Sequence, residues 1–98
     1  MLLLNQEFKI TINYCTQCRW LLRSAWMAQE LLTTFEQELS EVALRPGTGG
    51  VFDITINGKL LWSRAEQGGF PDIKVLKQIV RDVIAPDRDL GHSEKKPD

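Results

Sequence analysis

Between Phe8 and Leu39 the spacing of apolar residues changes from the period of a strand to that of a helix. The change falls on a Cys-x-x-Cys, Cys15-Thr16-Gln17-Cys18. Phe8, Ile10 and Ile12 alternate with Lys9, Thr11 and Asn13, which predicts a strand with one buried face. From near Thr16 to near Leu39 no Gly or Pro interrupts the chain. Leu21, Ala25, Ala28, Leu32, Phe35 and Leu39 recur at spacings of three and four, so one long helix with these residues on its core stripe is expected. Trp20, Met27 and Leu31, flanked by Arg23 and Glu30, form a second stripe, read as the edge of a wide core face or as a partner-binding patch beside the thiols. A strand that feeds a long helix and then a further strand predicts a right-handed crossover, with the two strands parallel.

The rest of the chain completes a sheet around that unit. Glu41 to Arg45 is a short strand candidate with Val42 and Leu44 in phase, closed by Pro46-Gly47, and Thr48-Gly49-Gly50 makes a permissive loop. Val51 to Ile56 and Lys59 to Ser63 flank Asn57-Gly58, the signal of a two-residue hairpin. In the simplest register Ile54 faces Leu61 and Asp53 faces Trp62, which puts Phe52, Ile54 and Ile56 on the core face and Leu60 and Trp62 on the other. Residues 66–71 read as a loop, and Asp72 after Pro71 supplies helix-start chemistry. Leu76, Ile79, Val80, Val83 and Ile84 trace a second amphipathic helix, stopped at Ala85-Pro86. The order β-α-β-β-β-α predicts an α/β fold with a four-stranded mixed sheet and two helices, the small version of the thioredoxin architecture. Residues 1–86 form the expected domain and 87–98 a polar, mobile tail. If both helices lie on one face, the opposite face with Leu60 and Trp62 is expected to serve as a homodimer or partner contact.

Ninety-eight residues, 43% of them hydrophobic, suffice for one core. The net charge of −1 provides no electrostatic attraction for nucleic acid or an anionic membrane. Met1-Leu2-Leu3-Leu4 lacks the basic leader, the longer apolar run and the cleavage site of a signal peptide, and no stretch approaches the ~18 apolar residues of a membrane span. Both cysteines sit in one short motif instead of the dispersed framework of a secreted domain, so a reducing cytoplasm is the expected location.

Two thiols two residues apart, where a strand meets a helix, suit thiol-disulfide exchange. The amides at a helix N-terminus lower a thiol pKa from ~8.5 to between about 3.5 and 7.5. Cys15 is thus the expected attacking thiolate and Cys18 the sulfur that resolves the mixed disulfide, with protein disulfides or glutathione as partners and no cofactor. A zinc site would need four ligands, and outside the motif the chain offers only His92 and carboxylates. A structural disulfide closing so short a loop would restrain the unfolded chain little. Arg19 and Arg23 lie where positive charge aids thiol ionisation or attracts a carboxylate, Arg19 being the better candidate. Tyr14 is read as shielding the sulfurs, Gly49 and Gly50 as letting a substrate backbone approach, and Phe70 and Trp20 as aromatic contacts or core. The second function class is a redox-sensing interaction module, in which oxidation of the pair alters a protein contact without turnover.

The strand leading into Tyr14-Cys15-x-x-Cys18, the run Pro46-Gly47-Thr48-Gly49-Gly50-Val51-Phe52 into Thr55-Ile56-Asn57-Gly58, and Glu66-Gln67-Gly68-Gly69-Phe70-Pro71 together resemble the bacterial branch of the selenoprotein W/T/H (Rdx) family. The similarity covers about residues 6 to 85. It implies a thioredoxin-like fold and a redox role linked to glutathione. Selenoprotein members carry selenocysteine at the position of Cys18, which makes Cys18 an alternative attacking atom. Where thioredoxin-like enzymes place a cis-proline before the third strand this chain has Thr48-Gly49-Gly50, the expected substrate-pairing loop.

Overall fold

The computed structural model describes residues 7–91, and the apolar start Met1 to Leu4 and the tail residue His92 lie outside them. Along the chain run β1 (Phe8–Cys15), α1 (Leu21–Thr34), β2 (Leu39–Gly47), β3 (Phe52–Ile56), β4 (Lys59–Ser63), α2 (Arg64–Gln67) and α3 (Ile73–Ile84). The sheet order is β2-β1-β3-β4, with β1 and β2 parallel and the other neighbours antiparallel. The parallel pairing of β1 with β2 and the mixed sheet are those the patterning predicts, and α2, a single turn that overlaps the start of the expected loop at 66–71, is added to them.

The alternation of β1 is borne out, since Ile10, Ile12 and Tyr14 are buried and pack with Phe52, Ile54 and Ile56 of β3 and with Leu76 and Val80 of α3 in one cluster. Asp72 caps α3 by accepting the Lys74 amide at 2.8 Å, as the sequence predicts. Asn57 and Gly58 have φ of 49° and 85°, the left-handed pair that a type I′ turn requires.

Helix α1 departs from expectation in length and in face. It begins at Leu21 and ends at Thr34; residues 16–19 and 35–38 are turns, and Leu39 opens β2. Its buried residues are Ser24, Met27, Ala28 and Leu31, continued by Phe35 and Leu39, so the core combines Ala28, Phe35 and Leu39 of the expected stripe with Met27 and Leu31 of the second one. Leu21 and Leu32, expected inside, are exposed. Ser24 is tolerated there because its Oγ donates to the Trp20 carbonyl at 2.8 Å. Two apolar stripes side by side leave the choice of face to what the helix packs against, here β1, β2 and α3.

β2 is longer than the predicted Glu41–Arg45 and includes Pro46, opposite Tyr14. Pro is admissible because β2 is an edge strand with one unpaired side. The hairpin register also differs. Thr55 pairs with Leu60 as expected, but Ile54 pairs with Trp62 and Asp53 with Ser63, so Leu61 is the extra residue of a bulge. The bulge turns Trp62 toward the helix-covered face, where it is half-buried and donates its indole N–H to the Gly69 carbonyl at 2.9 Å. The open face therefore presents Leu60 among Thr11, Asn13, Ala43 and Thr55, without the apolar pair expected there.

Within the stretch expected to be a tail, residues 88 and 90 are tied to the domain. Arg88 bonds the Glu38 carboxylate at 2.8 Å and the Thr34 carbonyl at 2.6 Å, and Leu90 packs on the core. Residues 92–98 lie outside the described residues.

Candidate functional site

Cys15 is the last residue of β1 and Cys18 lies in the turn that follows, so the pair precedes α1 instead of sitting on its first turn. Both cysteines are free, Cys15 buried at 2% exposure and Cys18 half-buried. The turn is held against the end of β2: the Thr16 amide donates to the Gly47 carbonyl at 3.0 Å and the Thr16 hydroxyl reaches the same oxygen at 3.3 Å. Its last residue, Arg19, is exposed with φ of 63°, and the Arg19 amide closes the turn on the Thr16 carbonyl at 3.0 Å.

What favours an anion here is chiefly the second sulfur and the local amides. The Cys18 thiol donates to Cys15 and holds the Cys15 thiol below its ordinary value; the backbone N–H groups of Gly50, Cys18 and Gln17 add to this against the opposing effect of burial. The Cys18 pKa is pushed up, first because its proton is held in that bond, then by desolvation and by the Cys15 charge, while the Gly50 amide and the Arg64 charge act the other way. The expected source of the shift, the end of α1, is replaced by a small nest of amides plus Gly50 from the facing loop. Gly50 adopts φ of 79°, a conformation that suits glycine.

The other predicted site residues divide into two sides. Tyr14, Thr16, Arg19, Leu21 and Leu22 line a cleft of about 380 Å³ beside the turn. Tyr14 is itself buried and belongs to the core cluster, with its neighbours Thr16 and Arg19 facing solvent. Thr48 and Gly49 are exposed, and no atom lies within 4 Å of a Cβ built on Gly49 or Gly50, so the loop leaves open space. On the other side Phe70 lies in an aromatic cluster, 4.9 Å from both Trp20 and Phe52 between ring centroids, with edge-on geometry.

Two residues of the site are absent from the sequence-based set. Gly47 carries the carbonyl that anchors the cysteine turn, and a Cβ there would come within 2.7 Å of Asn13 Oδ1 and 2.8 Å of Val51 Cγ1. The Pro-Gly pair hinted at it, although only as a strand stop. Arg64, the first residue of α2, lies over Trp20 and Phe70, and no local pattern marks it. Among the described residues no three His, Cys, Asp or Glu side chains gather into a group able to hold a metal, and no helix is long and apolar enough to cross a membrane.

The Rdx family model matches residues 9–82. The chain belongs to the Rdx family. Among solved structures, a protein from Bordetella parapertussis is 64% identical with a TM-score of 0.79, over 81% of this chain and all of that one (100%). A selenoprotein W-related protein from Vibrio cholerae is 56% identical with a TM-score of 0.78, over 80% of this chain and 98% of its own. Migration and invasion enhancer 1 from Mus musculus is 35% identical over 74 residues, and that from Bos taurus 33% over 75. Those alignments cover 74% of this chain but 61% and 62% of the relatives, so the chain spans less than two thirds of their length. The resemblance to selenoprotein W-related proteins is thereby borne out, and this Rdx domain has the thioredoxin-like, redox-associated fold.

Proposed function

We propose that this Rdx domain is a thiol-disulfide oxidoreductase working through Cys15 and Cys18, with protein disulfides as substrates and glutathione as the reductant. The observation that carries the reading is the placement of two free thiols at the end of β1, interacting with each other and with the amides of Gly50, Cys18 and Gln17, which favours a thiolate at Cys15 while Cys18 keeps its own proton. The Cys15 thiolate attacks one sulfur of a disulfide, forming a mixed disulfide and expelling the other sulfur as a thiolate. Cys18 then gives its proton to solvent and attacks the Cys15 sulfur. A Cys15–Cys18 disulfide forms, the second substrate thiolate leaves, and the substrate has gained the two electrons that the pair has lost. Two glutathione molecules return the pair to the dithiol and become glutathione disulfide. Chemistry of this kind needs no cofactor, and a reducing compartment such as the cytoplasm would supply the glutathione.

The test is reduction of bis(2-hydroxyethyl) disulfide by glutathione, with each cysteine replaced by Ser. Cys15→Ser should abolish turnover, and Cys18→Ser should accumulate a glutathione adduct visible by intact mass. Wild-type turnover no better than that of the double Ser variant would sink the reading. The greater exposure of Cys18 favours a variant of the mechanism in which Cys18 attacks and Cys15 resolves; in that case the adduct accumulates in Cys15→Ser instead.

A second reading has one observation in its favour. Leu21, Leu22 and Trp26 are 51%, 82% and 46% exposed on the first turns of α1, next to the cysteine turn. Oxidation of the pair could there alter a protein contact without turnover. A measurable reduction potential with no glutathione-dependent turnover would favour this sensor.

A further inference from the structure

The basic residues of the domain differ in whether they meet an acid. Away from the thiols, Arg88 is paired with Glu38 at 2.8 Å and Lys77 with Glu30 at 3.0 Å. Near the thiols, Arg23 and Arg64 have no carboxylate partner among the described residues. They nevertheless converge. The guanidinium carbon of Arg23 is 4.1 Å from the centroid of the Phe70 ring, and that of Arg64 is 5.2 Å from the same centroid and 4.9 Å from that of Trp20. Arg64 Nε is also a buried donor with no hydrogen-bond partner.

Two cations brought to one ring repel each other, and the ring quadrupoles offset only part of that repulsion. A buried guanidinium N–H without an acceptor adds a desolvation cost. An anion that enters at this point from solvent offsets the repulsion between the two guanidinium groups. Stacking engages the face of a guanidinium and leaves its edge open, and that edge matches a carboxylate with two parallel N–H···O bonds. The site is adjacent to the sulfur pair, because Trp20 follows Cys18 by two residues and the Arg64 charge acts on the Cys18 thiol.

We propose that Arg64 and Arg23, gathered on Phe70 and Trp20, form a carboxylate-binding site that positions small anionic thiols and disulfides for exchange at the cysteine pair. The sulfur chemistry it serves rests on the oxidoreductase reading, whereas the anion site rests on the arginines and rings alone. The ligand class is a low-molecular-weight thiol or disulfide that carries a carboxylate.

The probe is S-methylglutathione, a thioether dicarboxylate that cannot exchange with a thiol, titrated into the reduced protein and followed through the Trp20 indole N–H resonance. A saturable shift is expected in the wild type. It should weaken at least about tenfold in Arg64→Gln, corresponding to the loss of a charge-assisted pair, and less in Arg64→Lys, which keeps the cation. Near-UV circular dichroism confirms that the variants are folded, and the Lys variant decides the matter if Gln disturbs the ring cluster. Equal binding by wild type and both Arg64 variants, or equal binding of the probe's dimethyl ester, overturns the proposal. Exchange rates with anionic 3,3′-dithiodipropionate and neutral bis(2-hydroxyethyl) disulfide give the second readout. Their ratio should favour the anion in the wild type and fall in Arg64→Gln, and an unchanged ratio counts against the site. If the wild type exchanges with neither disulfide, the oxidoreductase reading fails and the titration alone decides the anion site.

Discussion

Cys15, the last residue of β1, and Cys18, in the turn that follows, interact through their thiols and titrate as a pair, Cys15 below and Cys18 above the ordinary thiol value. Alkylation of Cys15 by iodoacetamide should rise with pH through an inflection lower than that of a free cysteine. In Cys18→Ala the donor is gone and the inflection should move up. An inflection that stays in place would show that the amides alone hold the anion.

The same pair makes the stability of the reduced protein depend on pH. From the folded Cys15 value up to the unfolded thiol value, the unfolded chain binds the extra proton and stability rises. Above that, the folded Cys18 retains a proton that the unfolded chain has lost, and stability falls through the raised Cys18 value. Urea midpoints of the reduced wild type minus those of a Cys15→Ser/Cys18→Ser variant should pass through a maximum near the unfolded thiol value.

Gly47→Ala should cost about 1 to 3 kcal/mol, because the new methyl meets Asn13 Oδ1 at 2.7 Å and Val51 Cγ1 at 2.8 Å in a well-packed strand end. The Gly47 carbonyl also anchors Thr16, so the cysteine turn should shift and the Cys15 inflection with it. Denaturant unfolding and thiol titration of one variant check both effects.

Asn57→Gly keeps the left-handed turn and removes only the side chain, whose Oδ1 accepts the Lys9 amide at 2.8 Å and whose Nδ2 donates to the Glu7 carbonyl at 3.0 Å. The expected loss is about 1 to 2 kcal/mol, with early exchange of the amides at the start of β1. Hydrogen exchange unchanged at Lys9 would contradict this.

Arg88→Ala should destabilise by about 1 to 3 kcal/mol. It removes the Glu38 pair, the bond to the Thr34 carbonyl and a guanidinium 5.2 Å from the Phe35 ring centroid. A midpoint equal to the wild type would mean that residues 87–91 add nothing to the fold.

Much of this architecture was legible locally. Alternation in β1, the Asn57-Gly58 turn and the Asp72 cap depend on neighbours a few residues away, and each was readable without knowledge of the rest of the chain. So was the cysteine spacing, which lets the two thiols interact. Tertiary packing alone decided which stripe of α1 is buried, since Leu21, Leu32, Met27 and Leu31 are equally apolar and only the positions of β1, β2 and α3 distinguish them. It also decided the bulge at Leu61 that turns Trp62 inward, the Gly50 amide at the sulfurs, and the meeting of Arg23 and Arg64 on Phe70. Those contacts join residues far apart in the chain, and their energies depend on a geometry that exists only once the sheet and helices have packed.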